Sequence, residues 1–469
     1  MLSPLIRRRQ NGTTPRSKER GVTMALVALA LATIIAMAAL SIDIGTLYQA
    51  KAEAQRAADA GALTAARLIS ISGLTGDPTN GNADGTWAAI CGGATPYASQ
   101  AAIKLAQATQ NFVDAAPAST VTVTYGAGNA GGAASDCSTL GAAFGINPTV
   151  TVTVKRTNLP IFFAHVFSLF GGTYSGISVS ATATAEAYNS SASGSGGGNI
   201  PVQPRCVKPW IIPNLDPDNG GATFVSTVDG SITNKGVLVF GSGVIGETFG
   251  LTADCNPGQA NCLGVTGMIS NPPIRVGNNV QYVPALVSGS AGAALSCATA
   301  NSYQQAIDGC DQTTVYACGT LNGGQVNLNE NPVNPGVLTG DTATAVACLT
   351  QSSPTYGGAD ALVSSTYPFQ IQAGLGNPLV AQGVVNNNDI ITTSNSIVTV
   401  PIYDSTVGPL VGSQPTVTIV GFLQVFINKI DILGNVNVTV MNVSGCSNSA
   451  TSTPVNGTSP VPVRLITPP

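Results

Sequence analysis

The side chains able to do chemistry in this 469-residue chain are few, and their spacing excludes most enzymatic schemes. There is one histidine, His165, so any Ser-His-Asp or Cys-His arrangement depends on it and His-rich metal sites are ruled out. His165 sits among Phe162, Phe163, Val166 and Phe167, with no carboxylate or nucleophile near it in sequence, and reads as a packed residue rather than a general base. The ten cysteines contain no C-x-x-C pair and do not read as a zinc site. Gly241-Ser242-Gly243-Val244-Ile245-Gly246 has the form G-x-G-x-x-G. The phosphate-binding helix that should follow is replaced by ETFGLTADCNPG, so a glycine-rich β-turn is expected. Asp216-Pro217-Asp218-Asn219-Gly220-Gly221 could open a calcium loop, but it lacks the third acidic position and the closing glutamate, and a Pro-initiated turn is expected. No catalytic residue, metal or cofactor is therefore assigned.

The elements that must position these residues begin with a charged leader. Arg7, Arg8, Arg9, Arg16, Lys18 and Arg20 stand against Glu19, while the whole chain carries a net charge of −4. Beyond the leader the balance is acidic, which excludes a nucleic-acid face. Residues 21–42, GVTMALVALALATIIAMAALSI, contain no charge and are long enough for a membrane-spanning helix of roughly 33 Å. Basic residues before it and Asp43 after it predict a single-pass inner-membrane protein with the N-terminus cytoplasmic and the bulk of the chain periplasmic or extracellular. The competing reading is a cleaved signal at Ala36-Met37-Ala38. Against it, the apolar run is long for a signal and no proline follows until Pro78.

The helical pattern continues to about residue 70. Leu40, Ile44, Leu47, Ala54, Ala58, Ala62, Ala65 and Ile69 recur at three- and four-residue steps as one stripe, with Lys51 as its exception. Glu53, Arg56, Asp59 and Arg67 fall off it, with Glu53/Arg56 and Arg56/Asp59 at paired spacing. The stripe packs either on the chain's own core or, as a stalk interface formed by Ile44, Leu47, Ala54, Ala58, Ala62, Ala65 and Ile69, on partner helices.

Arg20-Gly21, the apolar run, Ser41-Ile42-Asp43-Ile44-Gly45-Thr46-Leu47-Tyr48 and Gln55-Arg56-Ala57-Ala58-Asp59-Ala60-Gly61-Ala62-Leu63 closely resemble the N-terminal segment of TadE/TadG-like Flp-pilus (tight adherence) assembly proteins. The resemblance covers about fifty residues. It implies a membrane component of a pilus or secretion apparatus whose partners are membrane lipid and other proteins of that apparatus. Processed Flp pilins carry Glu-Tyr at the fifth and sixth positions after the glycine, whereas Ala25-Leu26-Val27 stands here, so the anchor is expected to be retained. Asp229-Gly230-Ser231-Ile232-Thr233 resembles the D-x-S-x-S metal motif of von Willebrand A domains found in some TadG-like proteins, but the alternating helices of such a domain are missing.

The remainder divides by composition. A helix over residues 96–116, with Ala101, Leu105, Ala108 and Phe112 on one side, strands over 121–125, 149–155 and 175–188, and a short apolar helix over 159–170 predict an α+β, pilin-like module. Residues 189–199, NSSASGSGGGN, read as a linker. Strands over 237–240, 391–401, 416–427 and 435–443, with helices over 302–308 and 341–350, predict a mostly-β, sandwich-like module. The expected organisation is a leader (1–20), transmembrane and stalk helix (21–72), exported α+β module (73–188), linker (189–199) and disulfide-braced β module (200–469) able to carry a surface ligand. If each module closes its own bridges in an oxidising compartment, Cys91–Cys137 is forced. Cys255/Cys262 and Cys310/Cys318 are the natural local pairs among the other eight. The functional expectation is a non-enzymatic pilus or secretion component assembling through its N-terminal helix, the alternative being a membrane-tethered adhesion or binding protein.

Overall fold

The computed structural model describes residues 19–73, 75–76, 86–93, 96–108, 119–128, 132–159, 177–191, 202–253, 275–276, 279–287, 301–317, 325–327, 340–352, 357–406, 416–431, 434–446 and 455–466. The leader before residue 19, His165, Phe112, Cys255, Cys262, Cys318 and residues 192–199 lie outside them. The chain divides into two units, one of residues 1–54, 111–120 and 155–180, the other of 55–110, 121–154 and 181–469.

Helix α1 (Glu19–Ser70) is continuous over 52 residues, favoured by its many alanines and leucines and by the absence of proline within it. It stops where Gly73, at φ +80°, carries the chain past the β-strand residue Met441, whose carbonyl a Cβ there would meet at 2.6 Å. Helices α2 (Thr86–Cys91) and α3 (Tyr97–Ala108) follow. The first sheet combines β1 (Ser119–Gly126), β2 (Ala133–Ala134), β3 (Thr149–Leu159) and β4 (Ile177–Ala187). α3 buries Ala98, Ala102 and Ala106, not the expected Ala101/Leu105/Ala108 face, and Leu105 stays exposed. The reason is steric. The Cα of Gly61 on α1 faces the Ala102 carbonyl and Ala106, a Cβ there lying 3.1 and 3.4 Å from them, and only a small-residue face permits that approach. Trp87 and Tyr125 both meet Phe144 edge-on, at 4.8 and 6.2 Å, and fill the core beside it.

The remaining strands are β5 (Val202–Pro204), β6 (Trp210–Pro213), β7 (Thr248–Ala253), β8 (Arg275–Val276), β9 (Asn279–Pro284), β10 (Gln325–Asn327), β11 (Ala361–Val363), β12 (Gln370–Gln372), β13 (Ile390–Ile391), β14 (Ile397–Tyr403), β15 (Thr416–Ile430), β16 (Val436–Gly445), β17 (Val455–Gly457) and β18 (Val463–Ile466), of which β6 to β10 and β14 to β16 make the second sheet. Its main ladder runs β15-β14-β6-β9-β7-β16, and β16 pairs back onto β15. The mostly-β part therefore closes into a ring in place of two stacked sheets. β11, β12 and β13 form a separate small sheet, and β17 pairs with β5. Helices α4 (Ser302–Asp308), α5 (Asp341–Leu349) and α6 (Pro378–Ala381) lie in the connections. Val207, Ile211, Val283, Tyr403, Ile419 and Phe422 form part of the barrel core. The expected strand at 237–240 is instead a single helical turn, Leu238–Phe240, because the glycines around it sit at positive φ and bend the chain away from any ladder.

The chain's late segment returns to the first sheet. β18 pairs antiparallel with β4, placing Arg464 opposite Glu186 at 3.0 Å. Asn189, Ser190 and Ser191, the start of the expected linker, are buried: the Asn189 amide donates to the carbonyls of Thr75 (2.8 Å) and Val443 (3.0 Å).

Two bridges are explicit, Cys91–Cys137 and Cys206–Cys310, and Cys348 and Cys446 are also oxidised. Cys310 therefore bonds Cys206, 104 residues away, and not the nearby Cys318. The Lys208 ammonium reaches the carbonyls of Ile307 and Gly309 (2.9 Å) and brings the end of α4 to the segment between β5 and β6 that carries Cys206. Loops of 46 and 104 residues give each bridge roughly 4–5 kcal/mol by chain entropy. Cys206→Ser with Cys310→Ser is expected to lower the unfolding free energy in urea titration by that order, and thiol counting on unreduced protein is expected to return none.

Candidate functional site

The exposed surface of α1 is the first feature that function must explain. The most apolar stretch of the helix has a mean hydropathy of 2.5 and none of it is buried. Met24, Leu29, Ile35, Met37 and Ile42 are all exposed, an apolar surface that water does not tolerate and hydrocarbon does. Ile44 is exposed, Leu47 half-buried, and Tyr48 is 74% exposed.

The stripe changes character beyond this point. Ala54, Ala58, Ala62, Ala65 and Ile69 are fully buried within the chain itself, so of the expected interface only Ile44 and Leu47 remain available to another molecule. Small side chains at these steps let α1 lie close to its neighbours, and the end of the helix is tied down by polar contacts. Ser70 Oγ donates to the Val461 carbonyl at 2.8 Å, the Asn442 amide donates to the Ser70 carbonyl, and Arg67 Nε donates to the Thr392 carbonyl at 2.8 Å.

Two charges on α1 do not lie as their spacing predicts. Glu53 pairs not with Arg56 but with Arg156 on β3, Nη1 to Oε2 at 2.7 Å, with Arg156 fully buried. Asp59 accepts from the Gln55 amide at 2.8 Å. The partner of Glu53 lies 103 residues away, outside any helical periodicity.

Among the described residues of the barrel unit, two polar cavities stand out. One, of about 280 Å³, is lined by Arg67, Lys208, Asp308, Thr399, Gln424 and Ser459 among others. The second, of about 300 Å³, shares Arg67, Leu349, Ser394 and Asn395 with it, so the two lie side by side. The Lys208 amine, buried and pulled down to about 8 by desolvation against the pull of Asp308, caps the carbonyl end of α4.

The Asp216 segment forms a turn, with Asp216 Oδ1 accepting from the amides of Asp218 (3.0 Å) and Asn219 (3.2 Å). Glu247 joins it. The Asn234 amide donates to both Asp216 Oδ2 (3.0 Å) and Glu247 Oε1 (3.3 Å), and burial, then the Asp216 charge, pushes the Glu247 carboxyl up to about 8. Its folded pKa is raised above the unfolded value near 4.3, so between these pH values the folded chain holds more protons and this group's contribution to stability falls as pH rises. Glu247→Gln is therefore expected to match wild type near pH 4 and to exceed it by a margin that grows as pH rises towards 8 in urea unfolding.

The Gly-rich motif is a turn leading directly into β7, where a Cβ on Gly243 would meet the Gly236 carbonyl carbon at 2.1 Å. Asp229 accepts from the Ser231 amide and hydroxyl, at 3.1 and 2.8 Å, as a local turn residue. No group of three His, Cys, Asp or Glu able to hold a metal is present among the described residues.

No curated protein and no solved structure matches the chain. The family model described as putative Flp pilus-assembly TadE/G-like matches residues 21–68, the stretch that runs from the exposed apolar half of α1 into its buried half, and in that segment the chain is similar to this family.

Proposed function

We propose that the protein is a non-enzymatic, single-pass membrane component of a Flp/Tad-type pilus or related secretion apparatus. The observation that carries this reading is the coincidence of the TadE/G-like match over residues 21–68 with a helix whose apolar half is left unburied among the described residues. The basic leader holds the N-terminus in the cytoplasm and places the body, with its disulfides, in the oxidising compartment. Assembly runs through the exposed part of α1. Ile44, Leu47 and Tyr48, just beyond the apolar run, meet partner helices, and Ala54, Ala58, Ala62, Ala65 and Ile69 hold the helix to its own body. A photo-crosslinking residue at position 44 or 48 is expected to capture another envelope protein in cells, and one at position 62 to capture none. Absence of any adduct from positions 24, 37, 44 and 48 refutes the assembly role. The second reading, a tethered binding protein, is favoured by the paired polar cavities of the barrel unit.

A further inference from the structure

We propose that the Cys206–Cys310 disulfide is a modification site open to thiol exchange: a small thiol enters the cavity that the bridge lines and is captured on Cys206 as a mixed disulfide, while Cys310 is released as a free thiol. The inference concerns the barrel unit alone and does not depend on the assembly reading. The two bridges whose partners are both described differ in access. Cys91 and Cys137 are 0% and 1% exposed, and the Cys137 sulfur lies 3.3 Å from the Trp87 carbonyl, inside the core. Cys206 and Cys310 are half-buried, and both line the cavity of about 280 Å³. That volume stands near the lower end of the roughly 300–1,000 Å³ of ligand pockets, which suits a small thiol and excludes a protein one from the cavity itself.

The groups around Cys310 fix the direction of the exchange. Gln312 Nε2 donates to Cys310 Sγ at 3.7 Å, a contact made at the surface. The Lys208 ammonium, on the carbonyls of Ile307 and Gly309, sets a positive charge beside the residue that precedes Cys310. A donor and a cation both stabilise a developing thiolate, which makes Cys310 the leaving sulfur and Cys206 the sulfur attacked. The incoming thiolate forms a bond to Cys206 Sγ, the bonding pair of the old bridge passes to Cys310 Sγ, and the proton given up by the thiol ends there. One thiol is consumed and one is formed, so the step needs no further reductant and runs in an oxidising compartment. Opening the bridge does not dismantle the unit, because Tyr316, beyond Cys310, stays packed with Val207 and Ile211 in the buried core.

The test is peptide mapping by mass spectrometry of the full chain in detergent, after timed exposure to L-cysteine and blocking of the remaining thiols with N-ethylmaleimide. A cysteine adduct on Cys206 and maleimide on Cys310 are expected, formed at least about tenfold faster than any opening of Cys91–Cys137. The modified protein is expected to keep the protease resistance of the unmodified chain. In denaturing urea the advantage over Cys91–Cys137 is expected to vanish, because the fold supplies it. Gln312→Ala, at an exposed position, is expected to slow capture by about threefold or more. The proposal is overturned by the absence of an adduct on folded protein, by opening of Cys91–Cys137 at an equal rate, or by an adduct confined to Cys310. Capture that appears only together with protease sensitivity, an advantage that persists in urea, or an unchanged rate in folded Gln312→Ala overturns it as well.

Discussion

Ala58→Asp and Ala62→Asp are expected to unfold the body of the protein, at a cost of about 4 kcal/mol or more each. Both alanines are fully buried. A carboxylate there has no room and no water, and an unpaired charge forced into a packed interior costs several kcal/mol of a total stability that is typically 5–15 kcal/mol. Asp59→Ala, which gives up only the hydrogen bond from Gln55, is expected to cost about 1 kcal/mol or less. Ile44→Asp, at an exposed position, is expected to leave the urea midpoint unchanged while abolishing partner capture. Protease resistance of extracted protein separates the cases. If Ala58→Asp folds with wild-type resistance, the burial of the stripe in the chain's own core is wrong and that stretch is free for partners after all.

What was legible in the sequence follows the range of the interactions concerned. Helix α1 could be read because its signal is local: an uninterrupted apolar run, then small residues at helical steps. The strands from Thr416 to Ile430 and Val436 to Gly445 were visible for the same reason, as β-branched runs of strand length. Which residues they pair with was not, since β14 and β6 meet across almost two hundred residues and periodicity says nothing of closure. The face of α3 was misread because apolar size favours Leu105, whereas the close approach at Gly61 selects Ala102 and Ala106. The cavity residues carried no signal either. Arg67 and Gln424 are ordinary polar residues in sequence, and only the fold brings them to the wall of one cavity and leaves the second with an unpaired oxygen.

The Glu53–Arg156 pair yields the other large expected effect. Removing one partner strands the other. Arg156 has no exposed surface, and its Nε and Nη2 find no acceptor among the described residues, so Glu53 Oε2 at 2.7 Å is the contact that makes the guanidinium tolerable there. Glu53→Gln keeps the shape and removes the charge, and is expected to cost about 3–5 kcal/mol. Arg156→Met, which leaves the glutamate buried alone, is expected to cost a similar amount, because the stranded carboxylate loses its counter-ion in turn. The double variant Glu53→Gln/Arg156→Met removes both charges and is expected to recover most of that loss, since desolvation of an ion pair nearly cancels its attraction. A double-mutant cycle in urea therefore should show a coupling of about 2 kcal/mol or more between positions 103 residues apart in sequence. Salt up to about 0.5 M is expected to leave it nearly unchanged, because mobile ions do not reach a buried pair. A loss below about 1 kcal/mol in Glu53→Gln would place the two side chains in solvent and make the pair a surface contact of α1. A large, salt-insensitive coupling instead makes it the internal clamp between α1 and β3 that a projecting helix needs if its exposed half is to transmit load from partners without peeling from its own sheet.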